Sequence, residues 1–536
     1  MILLCKNKTM KNFFHLSLLV ALLTVLPFSC TKTGQDWNSP SFPDDGDEVL
    51  YHDAIVLGDR LENPYALENV KSAYVSLYPT KSRDDLSTTD YYVRFLPKDD
   101  DQLTLLRNMG LTLVDHPVDY EILREGDYYH DPGIDDQKIT WQYAVVPVDF
   151  SFPSGIEYEI LESCYIAPAS DDTKASAIDW NAVEAESFRL TGNADMLAPQ
   201  TKGESRQPSG YITITDPSAN GGQPVGVAGV QVMCNVFVKF SSTYTDEKGF
   251  YRIPKSFSAN PRYRLVFKNK KGFTIGLNTI LFPASVSTLG RHSSSGVDLT
   301  VDADSDRKLF RRCVVNNAAR DFYMRCGEGD LNIAEPPSNL CFWMFDNLNA
   351  SSAIMLHHGT VLSGDYETIY FQVLSFVVKL FGPDITLGTK NCSTYKEIAD
   401  LVNHEMAHAC HFARVGKDYW NEYISYIAKC TLQGQDTYGD GTLDGAGRCA
   451  VGEMWGYYLQ SKMHKDRYGG SNPSFGSQYW FHPQILSSVE DRGIKTSEIF
   501  KAIASGVTST EELRNSLVAA FPGKKNSINQ IFNRYE

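Results

Sequence analysis

The stretch "ADLVNHEMAHACHF", Ala399 to Phe412, decides how the C-terminal half of this chain is read. Within it His404, Glu405 and His408 stand in the order His-Glu-x-x-His, and His411 follows. Helix signals flank the stretch. Thr394-Tyr395-Lys396-Glu397 fits a capping box, in which each end residue satisfies a backbone N–H of the other. Ile398, Leu401, Val402, Met406 and Ala409 supply apolar positions, and Gly416 lies just past the end. On such a helix His404 and His408 are i and i+4, on one face, so two imidazoles can reach one ion. Catalytic zinc takes three protein ligands plus water, with nitrogens at roughly 2.0–2.1 Å. Glu405 neighbours the first ligand and can take the proton of a water that the ion acidifies. The surrounding Leu401, Val402, Met406, Ala407, Ala409 and Cys410 are uncharged, as a buried metal helix requires, because an unpaired charge there would be desolvated.

His411 lies on the same face, but His404 to His411 spans about 10.5 Å of helical rise. Three side chains of one unbroken helix cannot converge on one small ion over that length. A third ligand must come from elsewhere. "CAVGEMWGYYLQ", Cys449 to Gln460, reads as a second helix, with Glu453 beside Gly452 and Gly456. Asp418, Glu422 and Asp444 are the rival carboxylates.

Taken together, these residues resemble the gluzincin group of zinc metallopeptidases, in which a glutamate on a second helix completes a His-His-Glu site. The resemblance implies Zn²⁺ held by His404, His408 and Glu453, Glu405 as general base, and a protein or peptide substrate. Two departures matter. The metzincin pattern would need glycine at 411 and histidine at 414, where this chain has His411 and Arg414. The thermolysin-like Glu-x-x-x-Asp pattern would place aspartate at 457, where Tyr457 stands, so the orienting acid is missing or replaced. An oxyanion stabiliser is expected from Tyr419, Tyr457, Tyr458 or His464.

Upstream the pattern changes. "GYITITDP", "AGVQVMCNVFVKF", "STYTDEKGFYRIP" and "RYRLVFKN" are short, alternating runs between Gly, Pro, Asn and Asp turns, the sign of an all-β sandwich. The order Gly210…Pro224-Val225…Gly229-Val230…Thr245-Asp246-Glu247-Lys248-Gly249-Phe250…Tyr263 resembles the carboxypeptidase-regulatory-like (transthyretin-like) β-sandwich. That resemblance implies a scaffold or interaction module over residues 209–302, with Gly249 in a tight turn and Phe250 packed inside.

Residues 51–190 read as a small α+β domain. "YYVRF" is a strand, Leu103, Leu106 and Met109 keep helical spacing up to Gly110, and "LTLVD" alternates like a strand. "WQYAVVPVDF" and "IEYEILESCYIA" add further strands. His116 and His130 are expected at its surface. A polar linker, 191–208, follows.

The N-terminus carries Lys6, Lys8 and Lys11 before the apolar run "FFHLSLLVALLTVLPFSC", which ends at Cys30. A basic start with a short apolar core reads as a signal peptide, residues 1–29. Leu26-Pro27-Phe28-Ser29-Cys30 resembles a bacterial lipobox, which implies acylation of Cys30 and a lipid anchor in the cell envelope, at the outer membrane. Residues 30–50, rich in Pro, Gly, Ser and Asp, read as a flexible tether. "IYFQVLSFVVKLF", 369–381, is too short to span a bilayer and reads as a buried element. Nine of the 11 cysteines follow Cys30; an odd number cannot all pair within the chain, so at least one free, buried thiol is expected.

With 50 basic against 65 acidic residues, net charge −15, the chain has no electrostatic reason to seek nucleic acid. The expectation is therefore a multidomain protein: a small α+β N-terminal domain, an all-β transthyretin-like sandwich, and a mainly helical α+β zincin-like metallopeptidase domain over 303–536. A surface binding or adhesion lipoprotein with a degenerate peptidase domain is the alternative. The N-terminal domain could also be an inhibitory prosegment released by cleavage within 192–210.

Overall fold

The computed structural model describes residues 54–135, 138–167, 178–197, 207–276, 286–346, 349, 351–360 and 382–535. The expected signal peptide, the expected tether with Cys30, the middle of the expected 191–208 linker and the 369–381 run lie outside the described residues.

In the first region β1 (Val56–Arg60) and β3 (Tyr120–Arg124) form an antiparallel ribbon, and β2 (Asp90–Leu96) lies between β4 (Gln142–Pro147) and β5 (Glu157–Cys164). Helices α1 (Leu67–Leu77), α2 (Asp100–Asn108) and α3 (Trp180–Leu190) accompany them. Val93 and Phe95 of β2 meet Leu106 of α2, Ala144, Val146 and Ile156 in a small core. Asp99 caps α2 through Gln102 N at 2.9 Å, and Gly110 follows the helix with φ 81°. The strand expected at "LTLVD" is absent; Val114 alone bridges Tyr143. His116-Pro117 follows at once, and proline offers no N–H to continue a ladder. His116 also departs from expectation: it is buried, 3% exposed.

The middle region has two four-stranded sheets. One contains β6 (Ser209–Ile214), β7 (Val225–Gly226), β10 (Phe250–Arg252) and β14 (Leu299–Val301). The other runs β13 (Val286–Arg291), β11 (Arg262–Val266), β8 (Gln231–Val236), β9 (Lys239–Tyr244). Ile212, Ile214, Tyr251 and Val301 from the first share a core with Val232, Cys234, Tyr263 and Leu265 from the second. At Gly249 (φ 78°) a Cβ would stand 2.0 Å from the Ile212 carbonyl oxygen, and the Asp246 carboxylate closes the turn onto Lys248 N and Phe250 N. The glycine requirement holds, but the inward residue is Tyr251, 1% exposed. Phe250 is only half-buried, against Tyr211, because the strand's period of two turns it to the other face.

The expected boundary at residue 302 is crossed in space. β12 (Thr274–Gly276) pairs parallel with β15 (Cys341–Phe345), which pairs parallel with β17 (Ile385–Gly388); β16 (Ser352–Ala353) adds antiparallel at the edge. Aromatic packing fixes this: the Phe273 ring lies 5.9 Å from Tyr323 and 5.7 Å from Phe342.

The rest is mainly helical: α4 (Arg307–Arg325), α5 (Tyr395–Val415), α6 (Lys417–Leu432), α7 (Ala446–Tyr468), α8 (Gln484–Asp491), α9 (Thr496–Ala502), α10 (Thr510–Ala520) and α11 (Lys525–Phe532). Asp306 caps α4 through Leu309 N, 2.7 Å. Helix α5 packs on α4, α7 and the edge strand β16, and is buried almost all round. The nine described cysteines are all buried and none is in a disulfide; Cys326 and Cys410 approach to 4.0 Å between sulfurs. Among the described residues no helix is long and apolar enough to cross a membrane.

Candidate metal centre

Helix α5 begins as its sequence requires. Thr394 Oγ1 accepts from Glu397 N at 3.3 Å, and Glu397 reaches back to Thr394 N at 3.0 Å. It ends at Gly416, φ 84°. Four turns of apolar packing carry His404, Glu405, His408 and His411 into the interior, each 0% exposed.

Helix α7 crosses α5 and brings Glu453, also 0% exposed, to the histidine pair. His404 Nε2 and His408 Nε2 are 3.0 Å apart, and each stands 3.5 Å from a Glu453 oxygen. Their ligating atoms all lie within 4.8 Å of one another, and no other such group occurs among the described residues. Two nitrogens on one tetrahedral zinc stand roughly 3.3 Å apart, given bonds of about 2.05 Å. The donor spacing therefore fits a small ion with little movement. The orphaned atoms fit it too. Both Glu405 oxygens are buried without a hydrogen-bond partner, as is Glu453 Oε2. A buried, unpartnered carboxylate is costly unless a cation or its water satisfies it.

Charge follows the same logic. Burial pushes the Glu453 carboxyl up, but His408 and His404 outweigh it and bring it to about 2. Burial lowers His404 to about 4 despite Glu453, so its ring is neutral and able to ligate. Burial, then the charge of Glu453, raises Glu405 well above the ordinary carboxylate range.

Around the donors sit residues that fix them. His404 Nδ1 donates to Gln460 Oε1 at 3.2 Å, which leaves Nε2 for the ion. Gln460 thus does the orienting that the absent aspartate at 457 was expected to do. Tyr423 Oη donates to Glu453 Oε1. Gly456 makes the approach possible: a Cβ there would lie 2.9 Å from His404 Cε1 and 3.0 Å from His408 Cε1. Tyr457 lays its ring 4.4 Å from that of His404, its hydroxyl paired with Tyr438 at 3.1 Å.

The other nominated residues separate. His411 is turned into an aromatic box of Tyr419 and Trp420, its rings 5.3 and 5.6 Å away, with both nitrogens unpartnered. Asp418 and Asp444 are exposed, and Glu422 pairs with Arg448 at 2.8 Å on the surface. Tyr419 donates to Val507 O, Tyr458 pairs with Thr496, and His464 pairs with Asp400. Of the four oxyanion candidates only Tyr457 borders the histidine pair. Gln460 and Tyr423 were not singled out from sequence. Gln460 carried a signal: it lies two turns after Glu453, on the same helical face.

Comparison with protein-family models, with curated proteins and with solved structures finds no match for this chain.

Proposed function

We propose that this protein is a zinc-dependent metallopeptidase of gluzincin type, exported and held in the cell envelope by a lipid on Cys30. The observation that carries the reading is the buried His404–His408–Glu453 donor set with the unpartnered carboxylate of Glu405 on the same helix. Zinc bound there supplies an acidified water and polarises the peptide carbonyl. Glu405, on the same helix, would serve there as the general base, its carboxylate favoured by the ion's positive charge. His404 and His408 would hold the ion through Nε2, Glu453 would offset its charge, and Gln460 accepts from His404 Nδ1, which leaves Nε2 free for it. Tyr457, whose ring borders His404, would be the residue to stabilise an oxyanion.

A second reading rests on the burial of these side chains, which are 0% exposed. A peptide must reach the ion, so a site closed to solvent also fits a binding protein with a degenerate, structural metal centre.

The test measures bound zinc and cleavage of a broad peptide library for the native protein and Glu405→Gln. Zinc near one per chain in both, with cleavage lost in the variant, supports the peptidase. Zinc in both with no cleavage by either supports the binding protein. No zinc in either sinks both readings of the site.

A further inference from the structure

A second polar site lies far from the metal helix in sequence, where the first region covers a face of the β13-β11-β8-β9 sheet. A small crevice, with a cavity of about 30 Å³ that opens to solvent, is lined there by His116, Val118, Asn235, Arg262, Arg264 and Arg291, among others. Arg262 and Arg264 alternate on β11 and so point to one face. Arg291 of β13 stands directly opposite Arg262 in the ladder. Like charges facing each other across strands are destabilising, and here three guanidiniums share one face.

The surrounding groups do not neutralise them fully. Arg264, 3% exposed, donates to neutral partners: Asn235 Oδ1 at 2.7 Å and His116 Nε2 at 2.9 Å. The Asp115 carboxylate is one step removed, engaged by His116 Nδ1 at 2.8 Å and Tyr129 N at 2.7 Å. Glu125 pairs with Arg262 but is partly solvent-exposed. Arg291 donates to the Asn260 carbonyl at 2.9 Å, and Asp195 acts on it only at a distance. The balance is unfavourable to positive charge: burial, with Arg264 and Arg291, lowers Arg262 to about 9, and burial lowers Arg264 to about 10. The buried His116, held by Asp115 on one nitrogen and accepting from Arg264 on the other, fixes the Arg264 guanidinium in place. Guanidinium forks match the paired oxygens of carboxylate and phosphate groups, and such charge-assisted bonds are the strong ones.

We propose that this crevice is a binding site for a small oxyanion, a phosphate or carboxylate group gripped by Arg262, Arg264 and Arg291. The site is independent of the metal centre, and its occupant would cancel the repulsion among the three guanidiniums.

Calorimetric titration tests it, with inorganic phosphate and separately with succinate, at constant ionic strength made up with chloride. The folded protein is expected to bind one anion per chain, and Arg262→Gln and Arg291→Gln each to bind at least tenfold more weakly. Binding of phosphate alone, succinate alone or both supports the site and identifies the group. Without anion, Arg291→Gln is expected to melt at or above the native temperature, since it removes one member of a like-charged pair; Arg262→Gln also loses its pairing with Glu125 and is read by its binding. Absence of saturable binding up to millimolar anion overturns the proposal. So does binding that neither variant weakens, or variants that melt lower without anion and bind as the native protein does. The last outcome would make the arginines structural braces.

Discussion

Gly456→Ala adds a single methyl group where α7 passes the histidine pair. The new Cβ would meet His404 Cε1 at 2.9 Å, His408 Cε1 at 3.0 Å and His404 Nε2 at 3.1 Å. Comfortable carbon contacts are about 3.5–4.0 Å, so a ring or the helix must retreat by roughly 0.5 Å. The rings have little room. His404 is backed by the Tyr457 ring at 4.4 Å and tied to Gln460, and His408 is backed by Trp420 at 5.8 Å. Overpacking costs about 1–3 kcal/mol, offset by about 1 kcal/mol of better helix propensity, so the metal-free fold loses little. The metal is less forgiving, since a site tolerates only about 0.2 Å in ligand distance. Zinc affinity is expected to fall at least tenfold, read by competition with a chromophoric chelator. Gly452→Ala, one turn earlier on α7, is the control. Its Cβ would meet Tyr423 and His411 at 3.5 and 3.6 Å, ordinary contact. That variant should keep native zinc affinity and gain up to about 1 kcal/mol of stability. Equal zinc affinity in Gly456→Ala and the native protein, or equal loss in both variants, would refute the assigned geometry.

Three other perturbations bear on single residues. Gln460→Ala should weaken zinc about 10–100-fold by freeing the His404 ring, while Gln460→Glu keeps the acceptor and the affinity; indifference of zinc binding to both would remove the orienting role. His411→Leu should leave zinc binding unchanged and make the metal-free protein less acid-sensitive. Burial lowers His411 to about 3, below its ordinary 6.5, so the unfolded chain takes up a proton first as pH falls and stability drains between about 6.5 and 3. Loss of zinc in this variant, or an unaltered pH profile of urea midpoints, would contradict that placement. Gly249→Ala forces a side chain into φ 78° and against the Ile212 carbonyl, so denaturant midpoints should fall by at least about 2 kcal/mol of stability; an unshifted midpoint would deny the turn.

What could be read from the chain in advance was local or periodic. The capping box at Thr394, the stop at Gly416 and the i, i+4 histidines needed only helix geometry. Glu453 was within reach because it sits on a helix whose neighbours are glycines, a pattern that invites close approach. What escaped was set by distant partners. His116 looked like a surface residue until Arg264, 148 positions away, supplied its partner. Strand β12 left its sequence neighbours for a sheet built 65 or more residues later, because Phe273 finds Tyr323 and Phe342 there. Phe250 and Tyr251 are both aromatic, so only the observed pairing with β6 decides which one faces the core.

The metal centre belongs to a longer arrangement along α5 and α7. Positions four apart on α5 meet positions four and then seven apart on α7, in reverse order. Asp400 receives His464 Nδ1 at 2.8 Å, His404 donates to Gln460 at 3.2 Å, and His408 faces Glu453 at 3.5 Å. The pairs form a polar stripe through a core that is otherwise Val402, Met406, Val451, Trp455 and Leu459. Buried pairs of this kind cost desolvation and contribute little net stability compared with apolar replacements. A stripe kept polar over three successive turns is therefore poorly explained as a fold-stabilising device. It is better explained by the position of its inner end. Each pair fixes the rotation of both helices about their axes, and a rotation of either by one residue, about 100°, would carry His404 and His408 away from Glu453. The outer pair, Asp400 with His464, locks that rotation one turn before His404 on α5, where it pairs with neither histidine. On this argument the His-Glu-x-x-His motif specifies only half of the site, and the stripe on α7 specifies the rest.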